Sequence, residues 1–118
     1  MRMLLTFAAL LLFSVTHAQT ISPEQAKDHT GEKITLCGKV TSIRVNKINA
    51  YLYFGAIYPN QDFTLVIPGK VVRRDKTLQP YADIFDLKGK NVCVTGKAEL
   101  FKQQPGMILS GFSDMKIQ

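Results

Sequence analysis

The chain has 118 residues, and its 15 lysines and arginines against 9 acidic residues give a formal net charge of +6 at pH 7. This length fits one ordinary domain and is too short for a two-domain enzyme. A charged fraction of 20% with a hydrophobic fraction of 46% argues against intrinsic disorder. Two cysteines are too few for a disulfide-framework miniprotein or for a zinc site made of four cysteines.

The first 18 residues have the pattern of a secretory signal peptide. Arg2 supplies the basic start, residues 4–15 carry no charge, and a cleavage position follows Ala18. A membrane helix is the alternative, but this apolar run spans only ~18 Å, less than the ~30 Å hydrocarbon core of a bilayer. We therefore expect a cleaved leader at 1–18, one domain at 19–118, a periplasmic or secreted location, and no membrane span.

The chain after the leader begins with a helix signal and then changes to strand periodicity. Residues 22–25 read Ser-Pro-Glu-Gln, an N-cap serine and a first-turn proline with a capping-box glutamine, and they predict a short helix through about Asp28. From Ile34 apolar and polar residues alternate, which predicts a first strand that continues to Val45. Gly38 inside this strand suggests a bulge or a sharp bend.

Two further strands and a long connection follow. The second strand is expected at Tyr51–Phe54 and the third at Phe63–Ile67, with turn residues between them at Pro59-Asn60. Residues 70–87 lose the two-residue period, so we expect a loop there with a short helix near Tyr81–Phe85.

The last part of the chain predicts a fourth strand at Asn91–Ala98 and a divided fifth strand at Met107–Leu109 and Met115–Ile117. The first and fourth strands share a pattern, because each is interrupted by a glycine followed by a lysine, at Gly38 and at Gly96. Two strands that must both bend within one small barrel explain this repetition.

This succession of strands resembles an OB-fold. The resemblance is carried by "ITLCGKVTS", "YLYFGAIYPNQDFTLVI", "KGKNVCVTGKAEL" and "GMILSGFSDMKI". More narrowly, residues 21–118 look like secreted bacterial OB-fold domains of the nucleic-acid-binding type. The resemblance implies an all-β, five-stranded Greek-key barrel with a short N-terminal helix and a short helix between strands 3 and 4. It implies a binding module and brings no catalytic residue with it.

The two cysteines fit one register of such a barrel. The first and fourth strands of an OB-fold pair antiparallel, and setting Cys37 opposite Cys93 also sets Leu36 opposite Val94. Along each strand the cysteine points to the face opposite to that of the aliphatic residues. One register therefore pairs the two cysteines and also places the aliphatic residues on a common face. We therefore predict a Cys37–Cys93 disulfide, which an oxidising destination allows; the alternative is two buried free thiols.

The sequence has no pattern typical of an active site or a metal centre. Its nine carboxylates are scattered, and His29 beside Asp28 is most simply a solvent-facing residue at a helix end. No phosphate-binding glycine loop and no His-Glu-x-x-His motif is present. We expect no enzyme activity, no cofactor and no metal ligands.

Aromatic and basic residues predict a binding face. Tyr51 and Tyr53 share the outward face of the second strand, while Leu52 and Phe54 point inward. Outward tyrosines can stack bases or sugars; the alternative is half-buried tyrosines at the barrel rim. Basic residues around them can attract phosphates; the alternative is a solvated surface that keeps the protein soluble. The predicted ligand-binding residues are Arg44, Lys47, Tyr51, Tyr53, Arg73, Arg74, Phe101 and Lys102.

Three functions remain open from the sequence. The first is an exported module that binds single-stranded nucleic acid with weak sequence selectivity, through basic contacts to phosphate and tyrosine stacking. The second is a protein-interaction or envelope accessory domain with an exported protein as its partner. The third is a binder of small ligands or oligosaccharides, since a fold does not fix a function.

Overall fold

A computed structural model describes residues 19–74 and 84–118 of the chain. The expected leader at 1–18 lies outside the described residues, as does most of the helix expected near Tyr81–Phe85. The described residues form eight strands: β1 (Gln19–Ile21), β2 (Lys33–Val45), β3 (Asn49–Phe54), β4 (Phe63–Pro68), β5 (Asn91–Lys97), β6 (Glu99–Phe101), β7 (Gln104–Ile108) and β8 (Met115–Ile117). The five predicted strands are confirmed as β2, β3, β4, β5 and the divided pair β7 and β8.

The strands form one curved sheet in the order β6-β7-β4-β3-β2-β5-β8, with β1 added in parallel to β2. β4 and β7 also pair in parallel, and the other neighbours are antiparallel. Only Ala98 separates β5 from β6, so the chain itself links strands near opposite ends of the sheet. The Ala98 N–H donates to the carbonyl of Glu32 at 2.9 Å. The sheet is therefore a barrel-like layer that is not fully closed.

The N-terminal segment forms the helix that the sequence predicts, as a 3₁₀ helix at Pro23–Asp28. The N–H of Ser22 donates to Oε1 of Gln25 at 2.9 Å, which is one half of a capping box. Pro23 and Ala26 are buried, and the helix contacts β2, β4 and β7. It therefore covers the sheet interior where strands from both sides of the barrel approach each other.

The connection between β4 and β5 differs from the expectation. The sequence predicts a loop from residue 70, but α1 (Gly69–Arg74) begins directly after β4, and a 3₁₀ helix at Ile84–Leu87 precedes β5. The physical reason is burial of one side of a helical turn, because Val71 is 1% exposed while Val72 is 38% exposed.

The first long strand, β2, bends by changing its partner. Residues 33–39 pair with β5, and residues 40–45 pair with β3. The register with β3 shifts between Val40 and Ser42, which places an irregularity of the bulge type at Thr41. The sequence suggests a bulge or a sharp bend at Gly38, but no bulge lies there, because the ladder runs regularly with Gly38 opposite Val92.

The two strand glycines permit close packing inside the barrel. A Cβ atom added at Gly38 would lie 2.7 Å from Cγ of Pro23, and one at Gly96 would lie 2.9 Å from Sδ of Met107. The interior is otherwise filled by apolar side chains, and Leu52 and Phe54 are both 0% exposed, as predicted. Gly38 and Gly96 thus lie where other elements pack closely against the sheet.

The predicted disulfide is present. Cys37 and Cys93 are directly opposite in the β2–β5 ladder, with Cα atoms 4.0 Å apart and an S–S bond of 2.06 Å. Leu36 lies opposite Val94 in the same ladder, which is the predicted register.

Candidate ligand-binding groove

The outward face of β3 and its neighbours forms a groove of about 550 Å³. We call it the tyrosine groove. Its lining combines aromatic rings with basic groups and amides, and none of the described residues that line it is acidic. The polar and aromatic members are Arg44, Asn46, Asn49, Tyr51, Tyr53, Tyr58, Gln61, Thr64, Phe101, Lys102 and Gln104.

Three tyrosine side chains with neighbouring rings line this groove. Tyr51 and Tyr53 leave the same face of β3, and their rings are nearly parallel (9°) with centroids 6.5 Å apart. Tyr58, from the connection between β3 and β4, packs on Tyr53 with a centroid distance of 4.8 Å. Tyr53 is consequently only 3% exposed, whereas Tyr58 is 42% exposed. The two strand tyrosines face away from the core as predicted, but Tyr53 lies beneath a second ring and does not offer a free face.

The loop that carries Tyr58 is held down by hydrogen bonds to the bulge in β2. Thr41 Oγ1 lies within hydrogen-bond distance of the carbonyls of Tyr53 (3.1 Å) and Ala56 (3.3 Å), and can donate to either. The N–H of Tyr58 donates to Oγ of Ser42 at 3.3 Å. The Tyr58–Pro59 peptide bond is cis. The irregularity in β2 thus provides the side chains that fix the loop over the sheet.

Arg44 connects the tyrosines. Its guanidinium lies 4.7 Å from the ring centroid of Tyr58, a cation–π distance. Burial raises the pKa of the Tyr53 phenol above its ordinary value, and the nearby Arg44 guanidinium, through hydrogen bonding and charge, opposes part of that rise. Within the described part of the chain Arg44 forms no salt bridge.

The hairpin between β6 and β7 brings Phe101 and Lys102 to the groove. Lys102 and Gln103 form the two-residue turn, with φ angles of 52° and 69°. Positive φ at both central positions is type I′ geometry, which glycine and asparagine favour. Two side-chain-bearing residues in the left-handed region therefore carry backbone strain at the edge of the groove.

A cluster of amide and hydroxyl groups completes the groove. Nε2 of Gln61 donates to Oγ1 of Thr64 at 3.1 Å and to Oε1 of Gln104 at 3.3 Å. Oε1 of Gln61 is buried and has no hydrogen-bond partner. Since Gln104 is exposed, this cluster presents an amide to solvent within the groove.

The structure brings five of the predicted residues together around the tyrosine groove, namely Arg44, Tyr51, Tyr53, Phe101 and Lys102. Lys47 and Arg73 instead line a separate depression of about 170 Å³ beside α1. The side chain of Arg74 lies outside the described residues. Whether any of these residues binds a ligand stays a prediction.

The sequence prediction did not include Tyr58, Gln61 or Gln104. A usable signal was the length of the connection at residues 55–62, because ordinary hairpin loops have only about two to five residues. A longer connection with an aromatic residue can fold back on the sheet. The position of Gln104 depends on the hairpin turn, whose left-handed geometry is not encoded by the usual asparagine or glycine.

The part of the chain that the structure describes has no metal-binding cluster and no membrane-spanning helix. In residues 19–74 and 84–118, no three histidine, cysteine or acidic side chains come together in a way that could hold a metal ion. None of the helices in those ranges has the length and apolar character needed to cross a bilayer.

Comparison with solved structures gives matches at the level of the fold. The OBody AM1L10 bound to hen egg-white lysozyme matches with a TM-score of 0.60 at 13% identity, over 89% of this chain and 98% of that chain. The asparaginyl-tRNA synthetase from Pyrococcus horikoshii matches with a TM-score of 0.60 at 12% identity, over 86% of this chain and 23% of its own. A chain of the S. pombe Stn1-Ten1 complex matches with a TM-score of 0.51 at 19% identity, over 73% of this chain and 57% of its own.

No protein-family model matches the chain, and no curated protein matches it significantly. The topology and the structural matches together define the class of protein. The chain has an OB-fold, a small barrel-like all-β domain, as the sequence resemblance implies.

Proposed function

We propose that this protein is an exported OB-fold module that binds single-stranded nucleic acid with weak sequence selectivity, and that its role is binding and not catalysis. The observation that carries the proposal is the composition of the tyrosine groove. Aromatic rings and two basic side chains line it, and no described lining residue is acidic. Stacking platforms within a positively charged groove are the combination used for single strands of any sequence.

Each part of the groove has a role in this proposal. Tyr51, Tyr58 and Phe101 offer ring surface for stacking, while buried Tyr53 supports Tyr58. Arg44 and Lys102 contact phosphates, and these contacts supply affinity that is independent of sequence. Because the ring faces of all bases stack, the groove selects for an unpaired base more than for its identity.

The structural relatives and the expected leader agree with this proposal. The asparaginyl-tRNA synthetase that shares the fold acts, by its name, on a tRNA. The leader pattern at 1–18 and the Cys37–Cys93 disulfide are both consistent with an oxidising compartment outside the cytoplasm. We therefore place the binding event in the periplasm or outside the cell.

A titration tests the proposal. The purified, oxidised protein is mixed with fluorescein-labelled oligonucleotides, single-stranded and double-stranded, at two salt concentrations, and binding is followed by fluorescence anisotropy. We expect single strands to bind with a Kd on the order of micromolar at low salt and more weakly at high salt. No binding of any oligonucleotide at low salt would overturn the proposal.

A charge variant tests whether the groove is the site. Lys102→Ala is expected to weaken binding to all sequences and to flatten the salt slope by about one unit. Lys116→Ala is the matched control, because Lys116 is equally an exposed lysine but lies on β8 and does not line the groove. An equal effect of both variants would indicate binding by overall charge and not by the groove.

A second candidate function is docking of an exported protein. Two exposed isoleucines favour it: Ile108 lines the groove and is 46% exposed, and Ile57, next to Tyr58, is 67% exposed. The OBody neighbour is itself bound to a protein, hen egg-white lysozyme. If the oligonucleotide titration is negative, this becomes the leading function.

A further inference from the structure

We infer, on the basis of the proposed function, that Gln104 hydrogen-bonds the Watson–Crick edge of an unpaired base and that Gln61 positions it. This contact would make the groove select single strands over duplexes without selecting one base. The inference rests on the arrangement of three neighbours in the groove: Phe101, Gln104 and Gln61.

Gln104 lies beside an aromatic ring. It is the direct register partner of Phe101 across the β6–β7 hairpin, and both side chains line the tyrosine groove. Directly opposite residues on antiparallel strands have Cβ atoms ~4.5–5.5 Å apart. A Cβ atom added at Gly106 would lie 2.5 Å from the ring of Phe101. The ring therefore packs directly against the backbone of Gly106, and this contact fixes its position. A base stacked on Phe101 therefore has its edge within reach of the Gln104 amide.

The Gln104 amide has free hydrogen-bonding capacity. Its Oε1 accepts one hydrogen bond, from Nε2 of Gln61 at 3.3 Å, and retains a second lone pair. Its own NH₂ group has no hydrogen-bond partner among the described residues. Gln104 thus offers a donor and an acceptor side by side in an exposed position.

This pair of groups complements every nucleobase. The Watson–Crick edge of each base carries an acceptor next to an N–H donor, in one order or the other, and these edges are what proteins read on unpaired strands. An amide that turns over matches either order. In a duplex the same edge is occupied by the opposite base, so the contact is lost.

Gln61 allows that turn. Its Oε1 is buried without a partner, and its Nε2 holds both Thr64 and Gln104. If the two amides turn over together, Oε1 of Gln61 can accept from the Thr64 hydroxyl and from the NH₂ of Gln104. Each arrangement gives the Gln61 amide two hydrogen bonds and leaves its other end without a partner. Neither arrangement is therefore strongly favoured, and the Gln104 amide can take the orientation that matches the base.

The test compares oligothymidine with an oligonucleotide of equal length built from N3-methylthymidine. The two probes have the same phosphates and the same ring, but the methyl group removes the N3–H donor and covers the edge. Affinities are measured by fluorescence anisotropy at one salt concentration for the unmodified protein and for Gln104→Ala. Gln103→Ala is the control, because Gln103 is the adjacent glutamine and does not line the groove.

We expect methylation of the probe to weaken binding by the unmodified protein and by Gln103→Ala by about five- to tenfold. We expect Gln104→Ala to bind both probes equally, at the level of the methylated probe. Since Gln104 is exposed, its truncation leaves the fold intact, which thermal unfolding verifies.

Two other outcomes are distinguishable. If both probes bind and methylation weakens Gln104→Ala as much as it weakens the unmodified protein, Gln104 does not contact the edge, while the proposed function stands. If neither probe binds the unmodified protein at low salt, the proposed function fails, and the inference fails with it.

Discussion

Cys37 and Cys93 face each other across the β2–β5 ladder and are joined by a disulfide. The bond links positions 56 residues apart, and β3 and β4, which carry much of the tyrosine groove, lie within the segment that it encloses. The same ladder continues through the core pair Leu36 and Val94. The disulfide therefore closes the loop of chain that carries most of the residues lining the groove.

Removing this bond is expected to destabilise the domain. In the chain-entropy account, a bridge over a loop of this length contributes ~4 kcal/mol, and measured values for native bridges lie at about 2–5 kcal/mol. We expect the Cys37→Ala/Cys93→Ala variant to lose about 2–4 kcal/mol of unfolding free energy in denaturant titrations. Thiol titration of the oxidised, denatured protein should give no free thiol, and the detection of two would contradict the assignment.

Gly38 and Gly96 differ in what a side chain would meet, and this difference is testable. A Cβ atom at Gly38 would press on the rigid ring of Pro23, whereas one at Gly96 would meet the flexible end of Met107. We expect Gly38→Ala to lower the free energy of unfolding by about 1–3 kcal/mol and Gly96→Ala by less. Gly111→Ala is the control, since the nearest atom lies 4.0 Å away and the backbone there is extended. Unfolding experiments on the three variants measure these losses. Equal losses of unfolding free energy at Gly38, Gly96 and Gly111 would show that close packing does not cause the destabilisation.

The sequence predicts the long strands because burial of one face imposes strict alternation. In β2 and β5 this alternation also fixes the register, and the parity of Cys37 and Cys93 adds an independent constraint. β1 and β6 are not predicted because each has only three residues and neither shows the apolar-polar-apolar alternation of the equally short β8. The bulge at Thr41 is missed for another reason: β2 leaves β5 for β3 at that point, and one strand's sequence does not record its neighbours.

The site is less predictable than the fold for the same reason. Tyr51 reaches the groove through the period of its own strand, which is a local property. Tyr58 reaches it because Thr41 and Ser42 hold its loop, and that contact joins distant segments of the chain. The burial of Tyr53 follows from the loop and could not be read from β3 alone.

The strained turn at the groove predicts a stabilising substitution. Gln103 has a φ of 69°, which costs a side-chain-bearing residue about 1 kcal/mol relative to glycine. We expect Gln103→Gly to raise the melting temperature while oligonucleotide affinity is unchanged, because Gln103 does not line the groove. Gly89→Ala is the reciprocal control: its φ is 86° with open space around it, so it should lower the melting temperature through the backbone alone. A decrease with Gln103→Gly would contradict the assignment of strain.

Because the phenol of Tyr53 is buried, the free energy of unfolding is expected to vary with pH in the alkaline range. Burial raises the pKa of Tyr53 in the folded protein above the ordinary value of 10.0, so the folded state holds this proton where the unfolded state releases it. The stability is therefore complete below pH 10.0 and decreases as the pH rises from there through the folded-state pKa. We expect Tyr53→Phe to lose less unfolding free energy than the unmodified protein over that interval. Absorbance titration of the phenolates should lack its latest-ionising component in Tyr53→Phe.

The stacked pair Tyr53 and Tyr58 separates binding from stability. Tyr58 is 42% exposed and offers a ring face, so Tyr58→Ala is expected to weaken single-strand binding by ~1–3 kcal/mol with a small effect on unfolding. Tyr53 is 3% exposed, so Tyr53→Ala is expected to lower the free energy of unfolding by about 3 kcal/mol through the cavity that it leaves. Tyr53→Phe keeps the ring beneath Tyr58 and should preserve affinity at neutral pH, because the stacking surface stays in place. Anisotropy titrations and denaturant unfolding on the same three variants measure both quantities. If Tyr58→Ala binds like the unmodified protein while Tyr53→Phe loses affinity, the phenol of Tyr53 and not the ring of Tyr58 meets the ligand, and the loop would have to open for binding.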